Sequence, residues 1–246
     1  MPRADLHIHT RCSDGLGTVS QTLEYIEHRT KLDVVAITDH EDAAGGLQAR
    51  ELAGKRGYRF EVVVGAEVTT RQGHLLALFI EQAPKSFRSM EATLEAIHSQ
   101  GGIAVVPHPM SWLTRSVSER TMDRICARKE AGVTFDAIEL GNPSPAGRLT
   151  EAQAARLNTE RWHLPVTGSS DAHHLECIGT GWTEFEGAGA EGLRRSLIAG
   201  TSRAGVTAYP SVRTIGLGKI ALQLGWGYCA TPRKMLTRRA APGVRA

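Results

Sequence analysis

Ten histidines punctuate this 246-residue chain, and most of them stand where side chains could gather. His7 and His9 are two apart at the end of an apolar run, so both project to one side of an extended strand. Asp39 and His40 close a second run, Glu67 follows a third, His108 a fourth, and Asp171, His173 and His174 follow a fifth. Imidazole nitrogens mixed with carboxylates suit zinc, manganese or iron, whereas all-oxygen sites suit calcium or magnesium. Charged groups gathered in an interior need a partner, and a cation supplies it. His28, His98 and His163 fall in or near helical patterns and stand outside this set.

The runs that must carry these residues read as strands over 4–9, 33–38, 60–65, 74–79, 103–107, 137–140, 164–167 and 181–185. Most are continuous apolar stretches, the pattern of strands buried on both faces in a parallel sheet. Helical patterns fill the gaps. Thr18-Val-Ser-Gln21 is a capping box that opens one helix, and Thr150-Glu-Ala-Gln153 reads as a second. Further helices are expected over 45–56, 89–99, 118–130 and 190–199, the last three followed by a nearby glycine. Repeated strand–helix units imply a parallel α/β architecture, whose active sites gather at the carboxyl ends of the strands. The gap between 60–65 and 74–79 is too short for a crossover helix, so a hairpin or a local irregularity is expected there.

Composition bounds the alternatives. With 41% apolar and 22% charged residues the chain can build one sizeable core and is not disordered as a whole. Aromatic residues make up only 5%, which argues against an extended platform of stacked bases. No run approaches a membrane span, and Met1–His7 lacks the apolar stretch of a secretory signal. Cys12, Cys126, Cys177 and Cys229 show no metal-ribbon spacing, so reduced thiols in a cytoplasmic setting are expected. The formal charge of +3 hides an asymmetry: no acidic residue follows Glu191, whereas Gly192–Ala246 contains ten basic ones. Regular patterning fades past about residue 206. We therefore expect a catalytic domain over 1–205 and a basic extension, partly ordered or flexible, over 206–246. Such an end can attract an anionic partner.

Taken in order, Asp5-Leu-His7-Ile-His9-Thr…Ser13-Asp14-Gly15, Ile37-Thr-Asp-His40, Gly65-Ala-Glu67, His74-Leu-Leu, His108-Pro and Gly168-Ser-Ser-Asp171-Ala-His173 form a set of six motifs. The set resembles the PHP (polymerase and histidinol phosphatase) family of metal-dependent phosphoesterases, in its compact stand-alone form, over residues 3 to 205. The resemblance implies a distorted (βα)7 TIM-like barrel with two or three divalent metals (manganese, zinc or iron) at one face. By the same resemblance His7, His9, Glu67 and Asp171 hold the first metal. Glu67, His74 and His108 hold the second, and Asp14, His40 and His173 the third. His74 sits at a strand start and has no role in the reading of residues alone; the resemblance supplies one. Asp39 is expected to orient a ligand imidazole. Glu41 stands where relatives commonly show Asp, and Ala66 where they show Val.

The implied chemistry is hydrolysis of a phosphate ester, a small phosphomonoester or nucleotide. Arg11 and Arg71 are expected to hold the phosphate, with Arg115 a third candidate. His173 (or the adjacent His174) is expected to protonate the leaving alkoxide, and Asp171 to serve the reacting centre. Two competing readings are an exonuclease or oligonucleotide phosphodiesterase aided by the basic end, and a non-catalytic metal-binding module. A small phosphorylated substrate is the expected partner, nucleic acid the alternative one, and no membrane partner is expected.

Overall fold

The computed structural model describes residues 1–128 and 132–227. Nine strands form one mixed sheet: β1 (Arg3–Ile8), β2 (Val34–Ile37), β3 (Glu61–Thr70), β4 (Gly73–Leu78), β5 (Ile103–Val106), β6 (Ala137–Gly141), β7 (Val166–Gly168), β8 (Gly181–Glu184) and β9 (Arg203–Val206), in the order β7-β6-β5-β4-β3-β2-β1-β8-β9. The pairs β1–β2, β2–β3, β5–β6 and β6–β7 are parallel. The short link after β3 produces the hairpin its length demands, with β4 antiparallel to both β3 and β5. The sheet is the nearly closed α/β barrel expected, with mixed strands where a regular (βα)7 unit would be parallel.

Helices cover the outside: α1 (Val19–Arg29), α2 (Ala44–Arg56), α3 (Met90–His98), α4 (Glu119–Cys126), α5 (Pro145–Arg148), α6 (Glu151–Leu157), α7 (Gly189–Ala199) and α8 (Val212–Ile215), followed by α9 over 217–227. The Thr18 capping box forms as its sequence requires. The one expected at Thr150 does not, because the Thr150 hydroxyl donates instead to the carbonyl of Pro109, at 2.7 Å, and braces the loop beyond β5.

Two apolar layers pack helices on the outside of the sheet. One joins Leu23 and Ile26 of α1 to Val35 and Ile37 of β2; the other joins Leu94 and Ile97 of α3 to Ala104 and Val106 of β5. A third cluster fills the barrel, with Ala4, Leu6, Val34, Ala36, Leu76 and Val105 meeting Leu193 and Leu197 of α7. Helix α7 thus seals the end from which β1 and β2 start. At β1 the pairing with β2 shifts register between Asp5 and Ile8. Before the shift, Ala4 and Leu6 join the interior cluster; after it, Ile8 joins the outer layer. The exchange of faces turns His7 and His9 inward.

The barrel closes between β7 and β8 through a side chain. Gly168 donates its N–H to the Thr183 hydroxyl at 3.0 Å, and that hydroxyl donates to the Gly168 carbonyl at 2.8 Å. A Cβ on Gly168 would lie 2.3 Å from the Trp182 carbonyl oxygen, and one on Gly181 would lie 2.2 Å from that of Ser169. Glycine is needed here because two backbones touch. Strand β9, which the sequence does not announce, pairs antiparallel with β8 and crosses the boundary expected at residue 205. Beyond it, Ile215 is buried in the α1–α2 layer, and Tyr209 and Ile220 pack against the same layer.

No helix among the described residues is long and apolar enough to cross a membrane. Cys12, Cys126 and Cys177 form no disulfide among the described residues. Cys229, Tyr228 and five of the ten basic residues of the acid-free end (Arg233, Lys234, Arg238, Arg239 and Arg245) lie outside the described residues.

The seam gives a direct test of closure. Gly168→Val should lower unfolding free energy by about 2–3 kcal/mol or more through overpacking, read by urea denaturation. Unchanged stability would mean that β7 and β8 do not meet as described.

Candidate metal centre

Six histidines converge at the end of the barrel opposite α7. Five of their rings close a circuit: His7 to His9 at 5.0 Å between centroids, His9 to His40 at 4.8 Å, His40 to His74 at 5.2 Å, His74 to His108 at 5.9 Å and His108 back to His7 at 5.7 Å. His173 stacks on His9 from outside the circuit, at 4.3 Å. Glu67 stands in the middle. Its Oε2 lies 3.4 Å from His7 Nε2, 3.3 Å from His9 Nε2 and 3.3 Å from His40 Nδ1. Its Oε1 lies 2.7 Å from His74 Nδ1 and 3.2 Å from His108 Nε2.

Two further carboxylates complete the set. Asp171 Oδ1 is 3.5 Å from His7 Nε2, 3.6 Å from His9 Nε2 and 3.7 Å from His173 Nδ1. Asp14 lies 3.5 Å from His9 Nδ1, 3.6 Å from His40 Nε2 and 3.2 Å from His173 Nε2. These are mostly not hydrogen bonds. Both His9 nitrogens, His40 Nδ1, His74 Nδ1 and Asp14 Oδ1 are buried without a hydrogen-bond partner. Two donor atoms that share a tetrahedral zinc-like ion, each about 2.1 Å from it, are about 3.4 Å apart. The spacing is therefore that of ligands around cations, and the donor set fits several divalent ions.

Four ligand groupings emerge: His9, Asp14, His40 and His173; His7, His9 and Asp171; His7, Glu67 and His108; His40, Glu67 and His74. All nine expected ligands come together. The grouping is finer than the resemblance implied, because His7, His9 and His40 each serve two groups, and His74 and His108 fall into different groups, each with Glu67.

Local backbone explains the convergence. Bridges outside the regular strands join Ile8 to Ala172 and His40 to Glu67, stitching ligand segments from distant parts of the chain. His9 donates its N–H to the Ala172 carbonyl at 2.9 Å, and Ala172 donates to His7 at 3.1 Å. His108 and Asp171 adopt positive φ, 30° and 52°. Non-glycine residues are strained there, and such strain persists only where the surroundings enforce it.

Buried carboxylates hold the ligand loops. Glu139 is the residue the sequence reading missed. Its Oε1 lies 3.2 Å from His7 Nδ1 and accepts from the Ser169 hydroxyl, while its Oε2 accepts from the His108 backbone N–H and from Asn142. Its signal was a lone charge in the apolar run Ala137–Gly141. Asp39, expected to orient an imidazole, does something else: it accepts from the Thr10 N–H and hydroxyl at 2.7 Å and from the Ser13 hydroxyl at 2.6 Å, bracing the loop that carries Asp14. The carboxylate that orients an imidazole is Glu139. Asp5 ties Ser170, next to Asp171, through its N–H and hydroxyl, and also accepts from Gly179. Burial pushes the Asp5 carboxyl up to about 6 against those hydrogen bonds. Glu41, beside His40, is buried and accepts from the Thr69 N–H and the Ser86 hydroxyl.

The expected arginines lie at the rim. Arg11 is exposed on the Asp14 loop, and Arg71 is exposed with its Nε donating to the Phe87 carbonyl at 3.0 Å. Neither pairs with a ligand carboxylate among the described residues. Arg115 sits over the Phe87 ring, 5.6 Å from its centroid, and its carbonyl accepts from the His74 N–H. His28 and His98 pair with Glu24 and Asp136, away from the centre.

The electrostatics follow from burial of like and unlike charges together. Burial alone would raise Glu67 and Asp171, but the surrounding imidazoles hold both carboxyls well below the usual range. Burial lowers His40 to about 4, only partly offset by Glu67 and Asp14. For His173 burial works in the same direction, yet Asp14 and then Asp171 outweigh it and raise the imidazole to about 10.

Comparison with known proteins places this geometry in context. Residues 151–202 match a family model described as PHP-associated. Over 133 residues the chain is 37% identical to an uncharacterized protein of Methanocaldococcus jannaschii, covering 49% of this chain and 75% of that one. It is 37% identical over 102 residues to the phosphoribosyl 1,2-cyclic phosphate 1,2-diphosphodiesterase of Eggerthella lenta, covering 39% and 38%. It is also 34% identical over 92 residues to the 5′-3′ exoribonuclease Rnm of Salmonella typhimurium, covering 36% and 31%. The matches thus span less than half the length of the last two relatives. Among solved structures, a two-domain protein of Bacteroides vulgatus containing a predicted PHP-like metal-dependent phosphoesterase superposes with a TM-score of 0.64 at 18% identity, over 92% of this chain and 69% of that one.

A ligand that holds a proton must lose it to bind a metal. His173, at about 10 without metal, is protonated at neutral pH. Metal uptake at pH 7 should therefore release protons, and affinity should rise with pH toward 10. Titration calorimetry in buffers of different ionisation enthalpy reads this; a heat independent of the buffer would contradict it. Glu139→Gln should weaken metal affinity about 10- to 100-fold without unfolding the chain; unchanged affinity would remove Glu139 from the orienting role.

Proposed function

The chain belongs to the PHP family, and on that premise we propose that it is a metal-dependent phosphoesterase hydrolysing a small phosphomonoester or nucleotide. One observation carries the reading: nine buried or nearly buried donors converge at ligand spacing around Glu67, with five of their atoms lacking any hydrogen-bond partner. A non-catalytic module would have no need to keep every one of them. Bound divalent cations would supply charge neutralisation for a phosphoryl group and a water acidic enough to attack at neutral pH.

The protein's own residues do the rest. Asp14, Glu67 and Asp171 supply the negative charge that retains cations, and Glu139 and Asp39 hold the ligand segments still. His173 is the most open of the nine, with 21% of its side chain exposed against 11% or less for the others. That puts it at the mouth, where a leaving alkoxide would depart; because His173 gives up its proton to a metal, we assign the proton donor's role to the adjacent His174. Arg11, on the loop between His9 and Asp14, and Arg71, on the turn between β3 and β4, are the groups assigned to the phosphate's outer oxygens.

Diester cleavage is the second reading. It draws on the two relatives named as a diphosphodiesterase and an exoribonuclease. A nuclease of this kind would lose affinity for RNA steeply as salt rises, and truncation after residue 227, which removes Arg233, Lys234, Arg238, Arg239 and Arg245, would flatten that dependence.

The deciding experiment is phosphate release by the manganese-loaded protein from mononucleotides, 3′,5′-bisphosphates, histidinol phosphate and a short RNA. Release from the first three classes supports the monoester reading, and release of nucleotides from RNA alone supports the second. His108→Ala should reduce turnover to background with the circular dichroism spectrum intact. Full activity in that variant would overturn the assignment of the centre as catalytic.

A further inference from the structure

The last described turn of helix α9 lies against the metal centre. It is held to the body at three points: Ile220 packs on the α1–α2 layer, Lys219 pairs with Glu176 at 2.5 Å, and the Trp226 indole N–H donates to the Ser13 carbonyl at 2.7 Å. Ser13 immediately precedes Asp14. At the next residue, the Cβ position of Gly227 lies 3.6 Å from both Cβ and Oδ2 of Asp14. The last described turn of α9 therefore stands directly beside a ligand of the most open grouping, which includes His173.

That turn carries two large side chains, Leu224 and Trp226, and only Trp226 is tied to the loop of Asp14. Trp226, flanked in sequence by Gly225 and Gly227, keeps 43% of its surface exposed. Its only polar side-chain atom is committed to Ser13, which fixes one edge of the ring, and the part of the ring that stays exposed is apolar. An indole tethered this way is a poor partner for a phosphate and a good one for a planar ring.

We propose that Trp226 is a specificity-determining residue, a stacking wall that selects phosphate esters whose alcohol bears an aromatic base, such as a nucleoside monophosphate, over aliphatic and sugar phosphates. The inference rests on the phosphoesterase reading for its chemistry and names the substrate class of the same site. The division of labour is physical: the imidazole–carboxylate centre takes the phosphate, and the indole takes the base. A single indole stacks a single base, which fits a mononucleotide or a chain terminus better than an extended strand, in keeping with an aromatic content of 5%.

Two variants separate the ring from its tether. Trp226→Ala removes both; Trp226→Phe keeps a stacking ring and loses the N–H to Ser13. With manganese-loaded protein, the ratio of kcat/KM for adenosine monophosphate over glycerol 3-phosphate should fall about 10- to 100-fold in Trp226→Ala, through KM. It should stay within a few-fold of the parent in Trp226→Phe. Equal losses on both esters, or a Phe variant as impaired as the Ala variant, would overturn the proposal, since the tether and not the ring would then matter. Binding is read separately: adenosine monophosphate should quench the tryptophan fluorescence of the parent, and the quenching should be lost in Trp226→Phe. Absent phosphate release with this quenching intact would refute the phosphoesterase reading and leave the wall standing. Absent quenching would remove the wall whatever the activity.

Discussion

Glu67 approaches five imidazoles at once, and most departures of this barrel from regularity follow from that single convergence. A carboxylate can meet five rings only if the rings arrive from several strands. His7 and His9 come from β1, where a register shift changes the inward face. His40 comes from the end of β2, pinned beside Glu67 by an isolated backbone bridge. His74 comes from a strand that runs the other way, and the β3–β4 hairpin pairs Thr69 with His74, two residues beyond Glu67. His108 turns into place through a left-handed backbone conformation. Each irregularity has a local cost, and all of them serve one point in space.

Such a point is unfavourable by itself. Three ligand carboxylates and six imidazoles are buried or nearly so, and burial penalises whichever of them is charged. In the bare protein the balance is struck with protons: Asp14 and Asp171 retain one on His173, while burial strips His40. Cations strike it differently, by taking the unpartnered nitrogens and oxygens as ligands. Folding and metal binding are therefore linked, as in any site whose donors are organised only in the native chain. Glu139, Asp39 and Asp5 form the frame that holds this unstable assembly in register. They bond to the segments carrying the ligands, and each accepts hydrogen bonds from backbone N–H groups or hydroxyls that would otherwise be buried without partners.

What could be read in the sequence was the chemistry at strand ends. The apolar runs fix where strands stop, and polar ligands placed at those stops declare the functional face. His74 escaped that logic because it stands at the beginning of β4, and an antiparallel strand begins where its parallel neighbours end. Glu139 was passed over for a related reason: inside a short apolar run a lone carboxylate has no visible partner until the barrel brings His7 against it. Asp39, adjacent in sequence to His40, invited a local role, yet its partners Thr10 and Ser13 lie almost thirty residues away. Strand β9 was silent because Arg203-Ala-Gly-Val206 lies at the sheet edge, is largely exposed, and carries neither alternation nor a continuous apolar stretch.

Charge and shape divide the work of recognition. Up to Glu191 the chain carries nineteen basic and twenty-six acidic side chains, so the body as a whole repels an anion. On the proposed function, attraction of a phosphate is therefore local, from cations at the centre and from the arginines assigned to it, acting over a distance that salt limits to about 10 Å. Local attraction of that kind is blind to the alcohol that carries the phosphate. Discrimination needs a surface just outside the polar circuit, and Trp226 on α9 is the one proposed for it. Helix α9 contributes little to the core beyond Ile220, yet its last described turn meets the Asp14 loop. A segment that adds so little burial and whose last described turn meets the metal centre is better explained by what it presents there than by the stability it confers.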